Sequence, residues 1–267
     1  YHIEIFMPYI NNNAINIHYK EEGDPNGTPL VFANSLGTNL HLWDNIIPFL
    51  PSKFRIIRFD KRGHGKSDVP DPPYKMGTLI SDTEGLLDSL EIKKSIFIGL
   101  SIGGMIGQGL ATKRPDLISA LILSNTAAKM GTAEMWNDRS NKVKNHGLES
   151  IADSVMERWF SQGFLSSKSS PGWRKMLVDT PDSGYIGCCN AISGTDLFTT
   201  TSNLSLPTLA IAGSEDGASP PDLVRETQQL IKGSHFKLIK GVGHLPCVEK
   251  PEEYGFILNK FFADCGF

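Results

Sequence analysis

Ser95-Ile96-Phe97-Ile98-Gly99-Leu100-Ser101-Ile102-Gly103-Gly104 is the segment whose reading decides the fold. Ser95–Leu100 is a near-continuous apolar run, the pattern of a strand buried on both faces. Ile102–Lys113 has helical composition and stops before Pro115. Ser101 therefore sits between a strand and a helix, in the pattern Gly-x-Ser-x-Gly. So tight a turn holds its central residue at strained backbone angles. The glycines two before and two after it remove side chains that would collide. The hydroxyl then projects above the carboxyl edge of the sheet, where open α/β folds bind ligands. The helix N-terminus beneath it favours negative charge. The competing reading is a serine that only caps the following helix.

Outward from Ser101, strand and helix signals alternate. Leu30–Ala33, Phe54–Phe59 and Ala120–Leu123 read as strands, and Thr78–Leu90 as an amphipathic helix with Leu79, Thr83, Leu86, Leu87 and Leu90 on one face. Ile3–Met7 and Ala14–Tyr19 alternate as a half-buried hairpin does, with Asn11-Asn12-Asn13 as its turn. From about Lys129 to Thr200 the strand signal fades. Trp136–Asn145, Leu148–Phe160 and Trp173–Val178 look helical there, and Ser166–Gly172 looks like a loop. The α/β pattern resumes with a strand at Thr208–Ala212, a helix over Asp222–Ile231 and a strand at Phe236–Ile239. A helix closes the chain from Pro251, with proline in its first turn. The alternation predicts a parallel sheet covered by helices on both faces. Residues 1–128 and 201–267 form the expected core, and 129–200 a helical cap inserted between its sixth and seventh strands.

Composition excludes several classes. The 267 residues suit one α/β domain with an insert, 40% of them hydrophobic and 21% charged, as in ordinary globular proteins. A formal charge of −3 with no basic stripe speaks against a nucleic-acid partner. No apolar run approaches the roughly 20 residues of a membrane helix. The opening residues read as neither a signal nor a transit peptide. Cys188, Cys189, Cys247 and Cys265 lack the spacing of a metal or redox motif, so they read as reduced thiols of a cytoplasmic protein. There is no Walker motif, no His-Glu-x-x-His and no EF-hand loop, and no metal site is expected. Gly103, Gly104, Gly107 and Gly109 are out of register for Gly-x-Gly-x-x-Gly and read as close helix–sheet packing.

A serine hydroxyl becomes a working nucleophile only with a base, a group to orient that base, and donors for the developing oxyanion. His244, in Gly241-Val242-Gly243-His244-Leu245-Pro246 after the last strand, is the expected base. A surface-loop histidine is the alternative. His64, in Arg62-Gly63-His64-Gly65, is a rival base but reads as part of a structural turn. Asp216 follows the strand at Thr208–Ala212, where a carboxylate can fix the histidine tautomer. Glu215 is the adjacent alternative. Asp216 is favoured because the order Ser…Asp…His is that of α/β-hydrolases. The oxyanion donors are expected at the amides of Ile102 and Leu36.

These residues carry a resemblance. Asn34-Ser35-Leu36-Gly37 with Trp43, Arg62-Gly63-His64-Gly65-Lys66-Ser67-Asp68, Gly99–Gly104 and Gly243-His244 resemble the α/β-hydrolase superfamily across nearly the whole chain. Within it, the sequence is most similar to the 3-oxoadipate enol-lactonases of the β-ketoadipate pathway of aromatic catabolism. The matching features are Asn34-Ser35-Leu36-Gly37-Thr38, Ser124-Asn125-Thr126-Ala127-Ala128, Glu157-Arg158-Trp159-Phe160 and the run Gly184–Ile192. The resemblance implies a mostly parallel eight-stranded sheet with an inserted helical cap, and a cofactor-free enzyme acting on a small lactone. Ser166–Ser170 departs from the family as a polar insert. A substrate that carries a carboxylate calls for a cation in the pocket. Arg139, Arg158 and Arg174 are the cap candidates, with Trp136 or Trp159 as a wall. Trp136 and Arg139 are the first choice. A carboxylesterase or cofactor-free perhydrolase of the same fold, or a hydrolase-like receptor that keeps the triad, fits the same residues.

Overall fold

The apolar run before Ser101 forms strand β5 (Ser95–Leu100), buried along its whole length, in a computed structural model that describes residues 8–12 and 15–267. It lies in one eight-stranded sheet with β1 (Tyr9–Asn12), β2 (Ile15–Gly23), β3 (Thr28–Ala33), β4 (Phe54–Phe59), β6 (Ile118–Ser124), β7 (Thr208–Gly213) and β8 (His235–Ile239). The order across the sheet is β1-β2-β4-β3-β5-β6-β7-β8. The pairs β1–β2 and β2–β4 are antiparallel, and every pair from β4 to β8 is parallel. The central strands read as unbroken apolar runs because helices cover both faces of a parallel sheet. All six parallel strands therefore deliver their following loops to one edge.

Helix α1 (Met76–Ser89) packs against α2 (Ile102–Lys113), which lies on β5 and β6. The glycines of α2 allow that approach: a side chain at Gly103 would run into the Ala33 carbonyl, and one at Gly107 into Leu121 and Phe97. The long segment between β6 and β7 is helical, with α3 (Ala133–His146), α4 (Ala152–Trp159), α5 (Gln162–Leu165), α6 (Ser170–Val178), α7 (Asp182–Ser193) and α8 (Phe198–Ser202). The chain then completes the sheet with α9 (Pro221–Gln229) after β7, and α10 (Pro246–Glu249) and α11 (Pro251–Asp264) after β8. No helix among the described residues is long and apolar enough to cross a membrane.

Several local expectations need correction. Asn11 and Asn12 lie in β1, paired with Asn16 and Ile15, so they are strand rather than turn. Ile3–Met7, Asn13 and Ala14 lie outside the described residues. The expected loop Ser166–Gly172 is shorter, because Ser170 already opens α6 and Pro171 sits in its first turn, where a missing N–H costs nothing. Leu148–Phe160 divides into a 3-10 turn, Leu148–Ile151, and α4. Helix α7 has no counterpart in the periodicity. Gly184, Tyr185, Gly187, Cys188, Cys189, Ala191 and Ile192 are all buried, so no polar face marks the period.

Candidate active site

The site is assembled from loops at the carboxyl edge of the sheet. Ser35 and Leu36 follow β3, His64 follows β4, Ser101 follows β5, Asn125 follows β6, Asp216 follows β7 and His244 follows β8. The cap adds Trp136 and Arg139 from α3, Arg158 and Trp159 from α4, and Tyr185 from α7. Ser35, Leu36, Ser101, Trp136, Arg139 and His244 are among the residues that line one cavity of about 300 Å³.

Ser101 holds φ 59° and ψ −121°, a backbone conformation an L-residue adopts only under constraint. Its N–H donates to the Ser124 carbonyl at 3.0 Å, and its carbonyl accepts from Thr126 Oγ1 at 2.6 Å. The turn is thereby pinned to β6 and the loop after it. Ser101 makes no side-chain cap bond to α2, which removes the reading of a simple helix cap. Its hydroxyl has no partner among the described residues and opens into the cavity.

His244 Nδ1 lies 3.0 and 2.9 Å from the two carboxylate oxygens of Asp216. Both residues are buried, with 1% and 5% of their surface exposed, so neither is a solvated loop residue. Asp216 accepts three further hydrogen bonds, from the Ala218 amide (2.7 Å), the Ser219 amide (2.9 Å) and Asn125 Nδ2 (2.9 Å). Donors on several sides fix the orientation of the carboxylate. Glu215, one residue away, points to solvent. The His244 loop is held from two sides: its amide donates to the Trp159 carbonyl at the end of α4 at 2.8 Å, and Gly243 N–H to Glu249 Oε1 of α10 at 2.6 Å. At Nε2 the nearest hydroxyl within hydrogen-bond range is Ser35 Oγ, at 3.4 Å, rather than Ser101. Catalytic hydrogen bonds of this kind are often long before substrate is bound.

The amides of Leu36 and Ile102 have no acceptor among the described residues, which leaves both free to receive a ligand oxygen. The loop that presents Leu36 is held from behind. Gly37 N–H donates to His64 Nε2 at 2.9 Å, and His64 Nδ1 faces the Arg62 carbonyl at 3.3 Å. His64 is thus a neutral imidazole acting as a strut, and it is not part of the cavity lining. Burial, reinforced by the nearby Lys61 charge, holds its pKa well below 6.5. The unfolded chain then binds the proton that the folded chain refuses, so stability is expected to fall as pH drops below about 6.5. Replacing His64 by Ala leaves the buried Gly37 amide unpaired, with an expected cost of roughly 1–3 kcal/mol by chemical denaturation. A loss below about 0.5 kcal/mol would remove the strut assignment.

Arg139 stacks its guanidinium over the Trp136 ring at 5.0 Å, and Trp136 Nε1 donates to the Met130 carbonyl at 2.5 Å. Neither Arg139 nor Arg158 has a carboxylate partner among the described residues, although both line the cavity. Arg174 is placed elsewhere: it pairs with Glu149 and Asp153 at 2.7 Å each, on the outer surface of the cap. Ser35 and Asn125 are not singled out as site members by sequence spacing, whereas Arg158, one of the three cap candidates, does line the cavity. Asn125 does carry a local signal in the resemblance, since it stands in Ser124-Asn125-Thr126. Its positive φ of 48° suits asparagine.

The chain belongs to the α/β-hydrolase fold family, whose profile matches residues 28–251, and it is a hydrolase of that fold. Within that class its relatives include 3-oxoadipate enol-lactonase 2 of Acinetobacter baylyi, 35% identical, over 93% of this chain and 94% of that one. 3-Oxoadipate enol-lactonase 1 of the same organism is 32% identical, covering 94% of each. Among solved structures, the enol-lactonase from Burkholderia xenovorans LB400 superposes with a TM-score of 0.93 at 34% identity, over 96% of this chain and all of that one.

Proposed function

We propose that this hydrolase opens the ring of 3-oxoadipate enol-lactone by serine chemistry, the lactone-opening step of the β-ketoadipate route of aromatic catabolism. The observation that carries the reading is the cavity itself. It brings together Ser101, His244 backed by Asp216, and two guanidinium groups with no carboxylate partner among the described residues. Ser101 Oγ attacks the lactone carbonyl as its proton passes to His244 Nε2, and Asp216 stabilises the imidazolium. The carbonyl oxygen, now negative, is received by the Leu36 and Ile102 amides. Collapse expels the ring oxygen as an enol, protonated from His244. The enol ketonises, which draws the step forward. Water activated by His244 then cleaves the acyl-Ser101 ester and releases 3-oxoadipate. No cofactor is needed in this sequence of steps.

Arg139 and Arg158 are the expected partners of the substrate's carboxylate, with Trp136 as the wall beside Arg139. Arg139→Leu or Arg158→Leu is expected to raise KM for the enol-lactone by about 10- to 100-fold, the worth of a charge-assisted hydrogen bond. Turnover of a neutral aryl ester should change little. An unchanged KM in both variants would mean that the carboxylate binds elsewhere. The reading as a whole is tested by following loss of enol-lactone absorbance with the purified protein. Rapid turnover of aryl esters with none of the lactone would replace it by a carboxylesterase.

A further inference from the structure

Lys61 lies in the turn after β4, is 3% exposed, and sits behind the Leu36 loop, away from the cavity. Its ammonium donates to the Ser35 carbonyl at 2.6 Å and reaches the Thr38 carbonyl at 3.4 Å. The Ser35 carbonyl also accepts from Thr38 Oγ1 at 2.9 Å and from the Thr38 amide at 3.3 Å. That carbonyl belongs to the same peptide group as the Leu36 N–H. In a trans peptide the C=O and N–H point in opposite directions, so a cation bound at the oxygen stands behind a donor aimed into the cavity. Charge at one end of a hydrogen-bonded chain strengthens the bond at the other end. We propose that Lys61 is a positioning residue of the oxyanion hole: its buried ammonium orients and polarises the Ser35–Leu36 peptide, so that Leu36 N–H binds the negative oxygen more strongly than the neutral carbonyl.

The proposal rests on Ser101 being the nucleophile. Its geometry explains why a charged side chain is buried at this point, where desolvation is costly. Asp60, bound to His18 Nδ1 at 2.7 Å and to the Leu40 amide at 2.7 Å, is the neighbouring charge. The other titratable groups near Lys61 are His64, held neutral, and Cys188, whose thiol burial pushes up to about 12. The ion pair of Arg62 with Asp82 stands beyond Cys188. Burial lowers the Lys61 pKa to about 8, against the pull of the Asp60 carboxylate. The ammonium is therefore lost as pH rises through about 8, and transition-state stabilisation falls with it. Stability moves the other way: the unfolded chain holds this proton to about 10.5, so the Lys61 contribution to stability rises across that window.

The test uses 4-nitrophenyl acetate, with acylation followed by release of nitrophenolate in wild type, Lys61→Met and Ser101→Ala between pH 6 and 10. Wild-type acylation is expected to fall through about pH 8 while Tm does not. Lys61→Met is expected to be slower at pH 7 by about tenfold, less than the 10²–10³ of deleting an oxyanion donor outright. It should lack the alkaline fall, keep KM within about twofold as a pure transition-state effect requires, and keep its Tm. Lys61→Met with the wild-type rate and the same alkaline fall would overturn the proposal. So would a Lys61→Met loss matched by the unfolded fraction. If Lys61→Met does not fold, a wild-type profile flat to pH 9.5, well past the value of about 8, overturns it alone. Turnover that survives in Ser101→Ala would remove the nucleophile beneath it, and the proposal with it.

Discussion

Ser101→Ala is expected to lower kcat on the enol-lactone by roughly 10⁴- to 10⁶-fold, the range found when a serine hydrolase loses its nucleophile. The fold should survive. The hydroxyl makes no hydrogen bond within the described protein, and the strained turn is held by backbone contacts to Ser124 and Thr126. Alanine at φ 59° is no more strained in kind than serine. The lactone should still bind, because Arg139, Arg158 and Trp136 remain in the cavity wall. Intact-protein mass spectrometry under single-turnover conditions should find an acyl adduct on wild type and none on the variant. A variant with a tenth of wild-type turnover or more, and a wild-type Tm, would mean that another group attacks the carbonyl.

Asp216→Asn is expected to cost about 10⁴-fold in kcat, because an amide in this place selects the wrong histidine tautomer. The bonding around Asp216 makes the effect specific. Its oxygens accept from two amides, from Asn125 and from His244 Nδ1. One face of an asparagine must present an NH₂ group. Turned toward His244, it donates to Nδ1, so the imidazole carries its proton on Nε2 and cannot take one from Ser101. In the Oδ1 position it faces the Ala218 and Ser219 amides as well as Nδ1, at a cost of roughly 1–3 kcal/mol of stability. Steady-state kinetics with denaturant titration separates the two. Glu215→Gln is the matched control, since Glu215 faces solvent, and it should stay within about twofold of wild type. Equal losses in the two variants would transfer the orienting role away from Asp216.

Much of the candidate site was legible because its parts are encoded locally. A strand, a glycine-flanked serine and a helix are contiguous in the chain, so the turn at Ser101 needs no distant partner to be read. The proposed donors follow from the same logic: Ile102 stands directly after Ser101, and Leu36 in the loop after β3. Where the signal was weaker, the cause was packing from several sides. Helix α7 is buried around its circumference, so it shows no amphipathic period. Its Gly184 and Gly187 instead record how closely it sits on the Gly63 backbone and the Tyr74 ring.

Alternation of buried runs with helical segments, together with the spacing around Ser101, determines the sheet, its crossover helices and the order Ser…Asp…His, because each rests on periodicity or on a few adjacent residues. Choices between chemically equivalent neighbours belong to the tertiary structure. Glu215 and Asp216 are one bond apart and both acidic, yet only Asp216 is enclosed by donors from the loops after β6 and β7. Arg139, Arg158 and Arg174 look alike along the cap, yet among the described residues only Arg174 of the three finds carboxylates. Lys61 is a charge in a turn until β3 and β4 stand side by side and bring the Ser35 carbonyl to its ammonium. Distance through space sets hydrogen bonding and desolvation, and residues far apart in the chain acquire that distance only when the sheet closes.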